Sequence, residues 1–141
     1  MDHHCAWVAN CIGFYNYQLF MCMLFYTALS CHMVIWTAWP LMSAVLQSET
    51  IDYKMAYYVI TSYILACTLG LIITGFFCFH LYLIKKQWTT IEFCEKRATD
   101  ERFVKTSPYD LGLFRNFQTI LGKNMLLWFI PICKYYCDIL Y

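Results

Sequence analysis

Residues Tyr17 to Leu46 read YQLFMCMLFYTALSCHMVIWTAWPLMSAVL, a run with no formal charge apart from possible protonation of His32. A helix that crosses a bilayer needs about 20 consecutive apolar residues, so this segment is long enough to span with tilt. Pro40 is expected to kink or end the helix. A second run, Met55 to Ile84, MAYYVITSYILACTLGLIITGFFCFHLYLI, carries no charge apart from His80. Composition agrees, since 61% of the 141 residues are hydrophobic, 20% aromatic and only 13% charged. That is too apolar for an ordinary soluble domain. The expected fold is an all-α membrane protein with two transmembrane helices in a hairpin.

Working outward, residues 47–54 form the polar break between the spans, with Ser48, Glu49, Thr50 and Asp52. Trp36, Trp39, Tyr53, Tyr57 and Tyr58 gather at the ends that meet this loop, as in an interfacial aromatic belt. Gly70 and Gly75 are expected to let the helices approach. The loop holds only Lys54, whereas Lys85, Lys86, Lys96, Arg97, Arg102 and Lys105 follow the second span. By the positive-inside rule both ends face the cytosol and the loop is lumenal or extracellular. The expected organisation is therefore 1–16, a cysteine-rich segment; 17–46 and 55–84, the spans; 47–54, the loop; 85–115, a cytosolic segment; and 116–141, an interfacial segment lying on the lipid bilayer. A net charge of +1, with no basic run interleaved with aromatics, gives no reason to expect nucleic acid. The nine cysteines lie scattered through apolar runs and do not form a secreted disulfide framework. Cys22, Cys31, Cys67 and Cys78 read as buried or lipid-facing thiols. No basic n-region and cleavage site mark a signal peptide.

Ahead of the first span stands Asp2-His3-His4-Cys5, followed at fixed offsets by Trp7, Asn10, Cys11 and Gly13. Thiol, imidazole and carboxylate are the parts of an activated nucleophile, with Cys to attack, His to take its proton and Asp to orient the His. Taken alone, the cluster also fits a zinc knuckle or a chance polar group. After the second span comes Thr89-Thr90-Ile91-Glu92, which by itself also reads as a helix capping box. Asn116-Phe117-Gln118-Thr119-Ile120-Leu121-Gly122 follows, with Trp128 and Pro131 behind it.

In this order, these elements resemble the DHHC protein S-acyltransferases, or palmitoyltransferases: the end of their cysteine-rich domain, their Thr-Thr-x-Glu motif and their C-terminal Asn-containing element. The resemblance implies transfer of a fatty acyl group from palmitoyl-CoA or another acyl-CoA, through a cysteine thioester, to cysteines of membrane-associated proteins. It implies Cys5 as nucleophile, His3 as general base and Asp2 as the group orienting His3. Thr89, Thr90 and Glu92 are supporting residues, with Thr89 expected to hydrogen-bond Asp2. Asn116 is expected to satisfy backbone groups at a helix end. Phe20, Leu24, Phe25 and Trp36 are expected to contribute to an acyl cavity beneath Cys5. His4 and Cys11 correspond to ligands of a structural zinc, a site that needs four. The family's other ligands lie upstream of the motif, where this chain has only Met1. The zinc site is thus expected to be incomplete, and the chain to be the C-terminal part of an enzyme with four spans.

Ala6 stands where many family members have proline. The resemblance places the protein in an endomembrane (Golgi or ER) or the plasma membrane, its active site cytosolic. The competing reading is a catalytically inactive, membrane-embedded interaction piece. His32 and His80, inside the spans, read as neutral histidines bonded to a neighbouring helix, without a functional role. Cys133 and Cys137 are juxtamembrane thiols that read equally as S-acylation sites or as inert residues. Lys85 and Lys86 read most simply as positive-inside residues, with contact to the coenzyme A phosphates as the lesser alternative.

Overall fold

The computed structural model describes residues 2–47, 52–99 and 107–132. Two three-residue strands, β1 (His3–Cys5) and β2 (Asn10–Ile12), precede four helices: α1 (Tyr17–Gln47), α2 (Tyr53–Lys86), α3 (Thr90–Thr99) and α4 (Leu113–Leu121). A 3-10 turn follows at Met125–Leu127. Arg102, Lys105, Cys133 and Cys137, and the loop residues Ser48, Glu49 and Thr50, lie outside the described residues.

α1 and α2 have 31 and 34 residues and are long and apolar enough to cross a membrane. At a rise of about 1.5 Å per residue they are roughly 46 and 51 Å long, which exceeds a hydrocarbon core of about 30 Å. α1 runs through Pro40 to Gln47, so the proline does not end it. Proline removes one N–H from the ladder, a loss that spanning helices tolerate when local groups compensate. α4 begins at Leu113, three residues ahead of the boundary expected at residue 116, because Gly112 (φ 90°) breaks the chain there.

The chain divides into two compact units, one drawn from Met1–Met23 and Cys78–Tyr141, the other from Leu24–Phe77. Within Leu24–Phe77 the helices run antiparallel, because Phe25 meets Phe77 (ring centroids 5.9 Å apart), Gly70 faces Cys31 and Trp39 meets Tyr63 (6.4 Å). A Cβ on Gly70 would sit 3.2 Å from that of Cys31, so this glycine permits close approach. Gly75 has nothing within 4 Å of its Cβ position and serves no such purpose. The five aromatic residues of the expected belt are all exposed. His32 bonds the carbonyl of Ala28 (2.7 Å) in its own helix, not a neighbouring one.

The other unit has a core of Tyr17, Phe20, Met21, Leu83, Ile84, Trp88 and Leu121. Asn116, fully buried, ties its segments together. Its Nδ2 donates to the Lys85 carbonyl at the end of α2 (2.9 Å) and to Asp110 (2.8 Å), and its Oδ1 accepts from the Leu111 N–H (2.9 Å). The carbonyls at a helix C-terminus have no intrahelical partner; here a side-chain amide from α4 supplies one. The C-terminal turn is held by Gln18 and Cys22 of α1, which donate to the carbonyls of Leu127 and Trp128.

Candidate active site

The hairpin is short, and its register sorts the Asp-His-His-Cys cluster. β1 pairs antiparallel with β2, setting His3 opposite Ile12, His4 opposite Cys11 and Cys5 opposite Asn10. Side chains alternate between the two faces of a strand. His3 and Cys5 therefore share one face, and Cys5 is buried there as a free thiol. His4 takes the other face, exposed, with its Nδ1 3.4 Å from Cys11 Sγ. Two motif residues brace the hairpin. Asn10 caps the Cys11 N–H (2.8 Å), while Asn16 accepts from Gly13 N–H (2.8 Å) and donates to the Cys11 carbonyl (2.9 Å). Polar chemistry at the strand's exit is thus used to fix where α1 starts.

Asp2 is buried, and both its carboxylate oxygens are engaged. Oδ2 holds His3 Nδ1 at 2.7 Å, which leaves Nε2 as the other nitrogen of the ring. Oδ1 accepts the main-chain N–H of Thr90 at 2.6 Å, and the Thr90 hydroxyl donates to the Asp2 carbonyl at 3.2 Å. The expected Thr89–Asp2 bond is therefore replaced by two bonds from Thr90. Thr89 is occupied as a helix cap: its N–H donates to Glu92 Oε2 (2.8 Å) while the Glu92 N–H donates to its hydroxyl (3.1 Å). That is the reciprocal capping box. It uses up both Thr89 and Glu92 and leaves the next N–H, one of the unpartnered donors of a helix's first turn, for the carboxylate.

Asp2, Tyr17, Trp88, Thr89 and Glu92 line a cavity of about 220 Å³, and Arg115, Gln118 and Lys123 line a larger one of about 740 Å³. Cys5 lines neither. Of the residues expected to wall an acyl cavity, Phe20 and Leu24 are buried but Trp36 is 81% exposed.

Comparison with known proteins decides what this arrangement belongs to. The family model of the DHHC palmitoyltransferases matches residues 1–97. The chain belongs to the DHHC palmitoyltransferase family. It is 35% identical over 133 residues to probable protein S-acyltransferase 14 of Arabidopsis thaliana, covering 93% of this chain and 42% of that protein. It is 32% identical to palmitoyltransferase ZDHHC15 of Rattus norvegicus, with 94% and 39% covered, and 32% identical to palmitoyltransferase PFA3 of Candida albicans, with 94% and 40% covered. The chain thus spans about two fifths of the length of these relatives. With two helices fit to cross a bilayer, this DHHC-family protein is an integral membrane protein.

The family is a zinc-binding one, and His4 and Cys11 have a geometry that fits. Two ligands at zinc's usual N and S distances, set at a tetrahedral angle, lie about 3.5 Å apart; here the separation is 3.4 Å. Among the described residues, no group of three or more His, Cys, Asp or Glu side chains is placed to hold a metal ion.

Two further features of this DHHC site were not foreseen from the sequence. One is Thr90 acting through its main chain, for which residue type carries no signal. The other is His80, which hydrogen-bonds the Tyr17 hydroxyl through Nδ1 at 2.6 Å. A bond to the neighbouring helix was expected of this histidine; its closeness to His3, with ring centroids 6.0 Å apart, was not.

Proposed function

We propose that this protein is a protein-cysteine S-palmitoyltransferase in which Cys5, His3 and Asp2 carry the acyl group and its proton. The observation that carries this reading is the 2.7 Å bond from Asp2 to His3, on the strand that presents the Cys5 thiol two residues on. With Nδ1 engaged by the carboxylate, Nε2 takes the Cys5 proton and the thiolate attacks the carbonyl carbon of an acyl-CoA. The bond from that carbon to the coenzyme's sulfur breaks, and the imidazolium returns the proton to the departing thiolate. In the second stage His3 takes the proton of a substrate cysteine, whose thiolate attacks the Cys5 thioester. Cys5 leaves as a thiolate and recovers the proton. Asp2 stabilises the transient imidazolium in both stages.

A thiol of ordinary pKa near 8.5 is mostly protonated at neutral pH, which is why a paired base matters. Burying an acyl tail contributes about 0.8 kcal/mol per methylene, so an active site next to the bilayer suits this substrate. Thr89, Thr90, Glu92 and Asn116 are supporting residues that fix Asp2 and the ends of α2 and α4. His4 and Cys11 supply two ligands of a structural zinc, and the remaining ligands come from outside the described residues. Bound there, zinc would hold β1 and β2 in register. The donor is palmitoyl-CoA or another acyl-CoA, the acceptors are cysteines of membrane-associated proteins, and the site faces the cytosol from an endomembrane or the plasma membrane.

The test is covalent labelling. Purified in detergent with zinc and given palmitoyl-CoA, the protein is expected to acquire a hydroxylamine-sensitive acyl label that Cys5→Ser abolishes and His3→Ala slows by 100-fold or more, on the order of a lost general base. A label that survives Cys5→Ser would overturn the assignment.

A further inference from the structure

His80 is a fully buried imidazole that the acyl-transfer scheme above leaves unused. A polar ring taken out of water is costly unless it is hydrogen-bonded, and this one is held by the Tyr17 hydroxyl at 2.6 Å. Around that bond stands a compact set of rings. Phe20 lies edge-on to His80 (centroids 5.0 Å apart, planes at 81°) and edge-on to His3 (5.5 Å, 71°). His80 and His3 are themselves 6.0 Å apart and tilted by 34°. Tyr17 packs on both Phe20 (6.0 Å) and His80 (5.7 Å), and it lines the same cavity as Asp2.

His3 therefore has two kinds of restraint. Asp2 fixes one edge of its ring by a hydrogen bond, and Phe20 and His80 pack against it. A carboxylate bond at one nitrogen still allows the ring to swing about that bond; neighbouring rings limit the swing. A phenylalanine in place of His80 has the bulk but no hydrogen bond to hold its ring, whereas the Tyr17 bond sets the plane of the imidazole. The pair joins α1 to α2 across 63 residues, so it also fixes the helix surface on which β1 rests.

We propose that His80, anchored by Tyr17, is a positioning residue that holds the His3 ring with Nδ1 on Asp2 and Nε2 turned to the Cys5 thiol. This rests on the reading of His3 as the base. It acts on the chemical step and not on donor binding, because its contact with the site runs through the ring of His3.

The experiment is single-turnover acylation of zinc-loaded, detergent-solubilised protein across a range of palmitoyl-CoA concentrations. The variants are Tyr17→Phe, His80→Phe and the double substitution, with His3→Ala alongside. Each single variant is expected to lower the limiting rate about tenfold, the scale of a misaligned reacting group, with the half-saturating palmitoyl-CoA concentration unchanged. The double variant is expected to be no slower than either single one, since both remove the same bond. Zinc content and the thermal unfolding midpoint are read on every variant. Limiting rates equal to wild type, a change confined to half-saturation, or rate losses that track lost zinc or lost fold would each overturn the proposal. If His3→Ala acylates at the wild-type rate, the assignment of the base falls and the positioning role with it. If His3→Ala is slow while Tyr17→Phe and His80→Phe are not, only the positioning role falls.

Discussion

The main-chain N–H of Thr90 donates to Asp2 Oδ1 at 2.6 Å, joining the start of α3 to a carboxylate 88 residues earlier in the chain. Because the donor is backbone, side-chain deletion at Thr90 leaves it in place. Thr90→Val removes only the 3.2 Å hydroxyl bond to the Asp2 carbonyl. A bond of that kind is worth about 1 kcal/mol, so acyl-enzyme formation is expected to fall about fivefold. Thr90→Pro is the sharper test. Proline is tolerated at the first position of a helix and its ring has no N–H, so this variant removes the donor while leaving α3 able to form. A hydrogen bond to a charged group is worth about 1.5–3 kcal/mol, which predicts a loss of roughly 10- to 100-fold in the same assay. A Thr90→Pro protein as fast as Thr90→Val, with its helix content intact by circular dichroism, would remove Thr90 N–H from the account of how Asp2 is held.

That relationship also shows what a sequence can carry. Thr-Thr-x-Glu offers two adjacent hydroxyls and one carboxylate, and residue type favours neither threonine as the partner of Asp2. Helix phase decides: Thr89 stands three residues before Glu92 and closes the capping box, which leaves the next N–H for Asp2. The spans were legible because thirty-odd apolar residues in a row have few alternatives, and the Asp-His-His-Cys cluster because its spacing is local. β1 and β2, three residues each, are too short for an alternating pattern to show. The Tyr17–His80 bond pairs residues 63 apart, and neither has a neighbour in sequence that announces the other.

Asn116 yields a prediction about stability whose order runs against size. Asn116→Ala removes three side-chain bonds and leaves the Lys85 carbonyl and the Leu111 N–H without this partner in a buried site. Such a loss costs roughly 3 kcal/mol, a fall of about 10 °C in unfolding midpoint for a chain of this length. Asn116→Asp keeps the shape but exchanges the Nδ2 donor for an oxygen that faces the Lys85 carbonyl and the Asp110 carboxylate. Aspartate is therefore expected to be worse than alanine at neutral pH, although it is closer to asparagine in volume. Thermal unfolding in detergent, followed by tryptophan fluorescence, ranks the two.

Gly70 and Gly75 lie five residues apart on α2 and predict opposite signs for the same substitution. A Cβ at Gly70 meets the Cys31 Cβ at 3.2 Å, and that atom sits too near its own backbone to move aside cheaply. Gly70→Ala is expected to destabilise by about 1 kcal/mol, the low end of overpacking costs. At Gly75 the Cβ position is open, so Gly75→Ala gains helix propensity, up to about 1 kcal/mol. Cys31→Gly in the Gly70→Ala background should recover packing, which separates a steric effect from a general intolerance of change on this face. Equal effects of alanine at both glycines would show that the close approach at Gly70 does not govern packing.

Asp110 gives the dependence on acid. The Asn116 amide bonded to its Oδ1 at 2.8 Å, together with the Gly112 N–H at 2.9 Å and the nearby Lys86 charge, holds its carboxyl below the ordinary range; partial desolvation opposes them. A carboxyl whose pKa is lowered by folding contributes stability that is fully present above its unfolded value, about 3.9, and is lost as pH falls through the lower folded value. Wild type is therefore expected to be more stable than Asp110→Asn at pH 7, and the gap between their unfolding midpoints should narrow as the pH drops below about 4. Acid effects elsewhere in the protein act on both proteins alike and cancel in the difference. A gap that stays constant from pH 7 to 3, or widens, would mean that Asp110 contributes through shape and not through its charge.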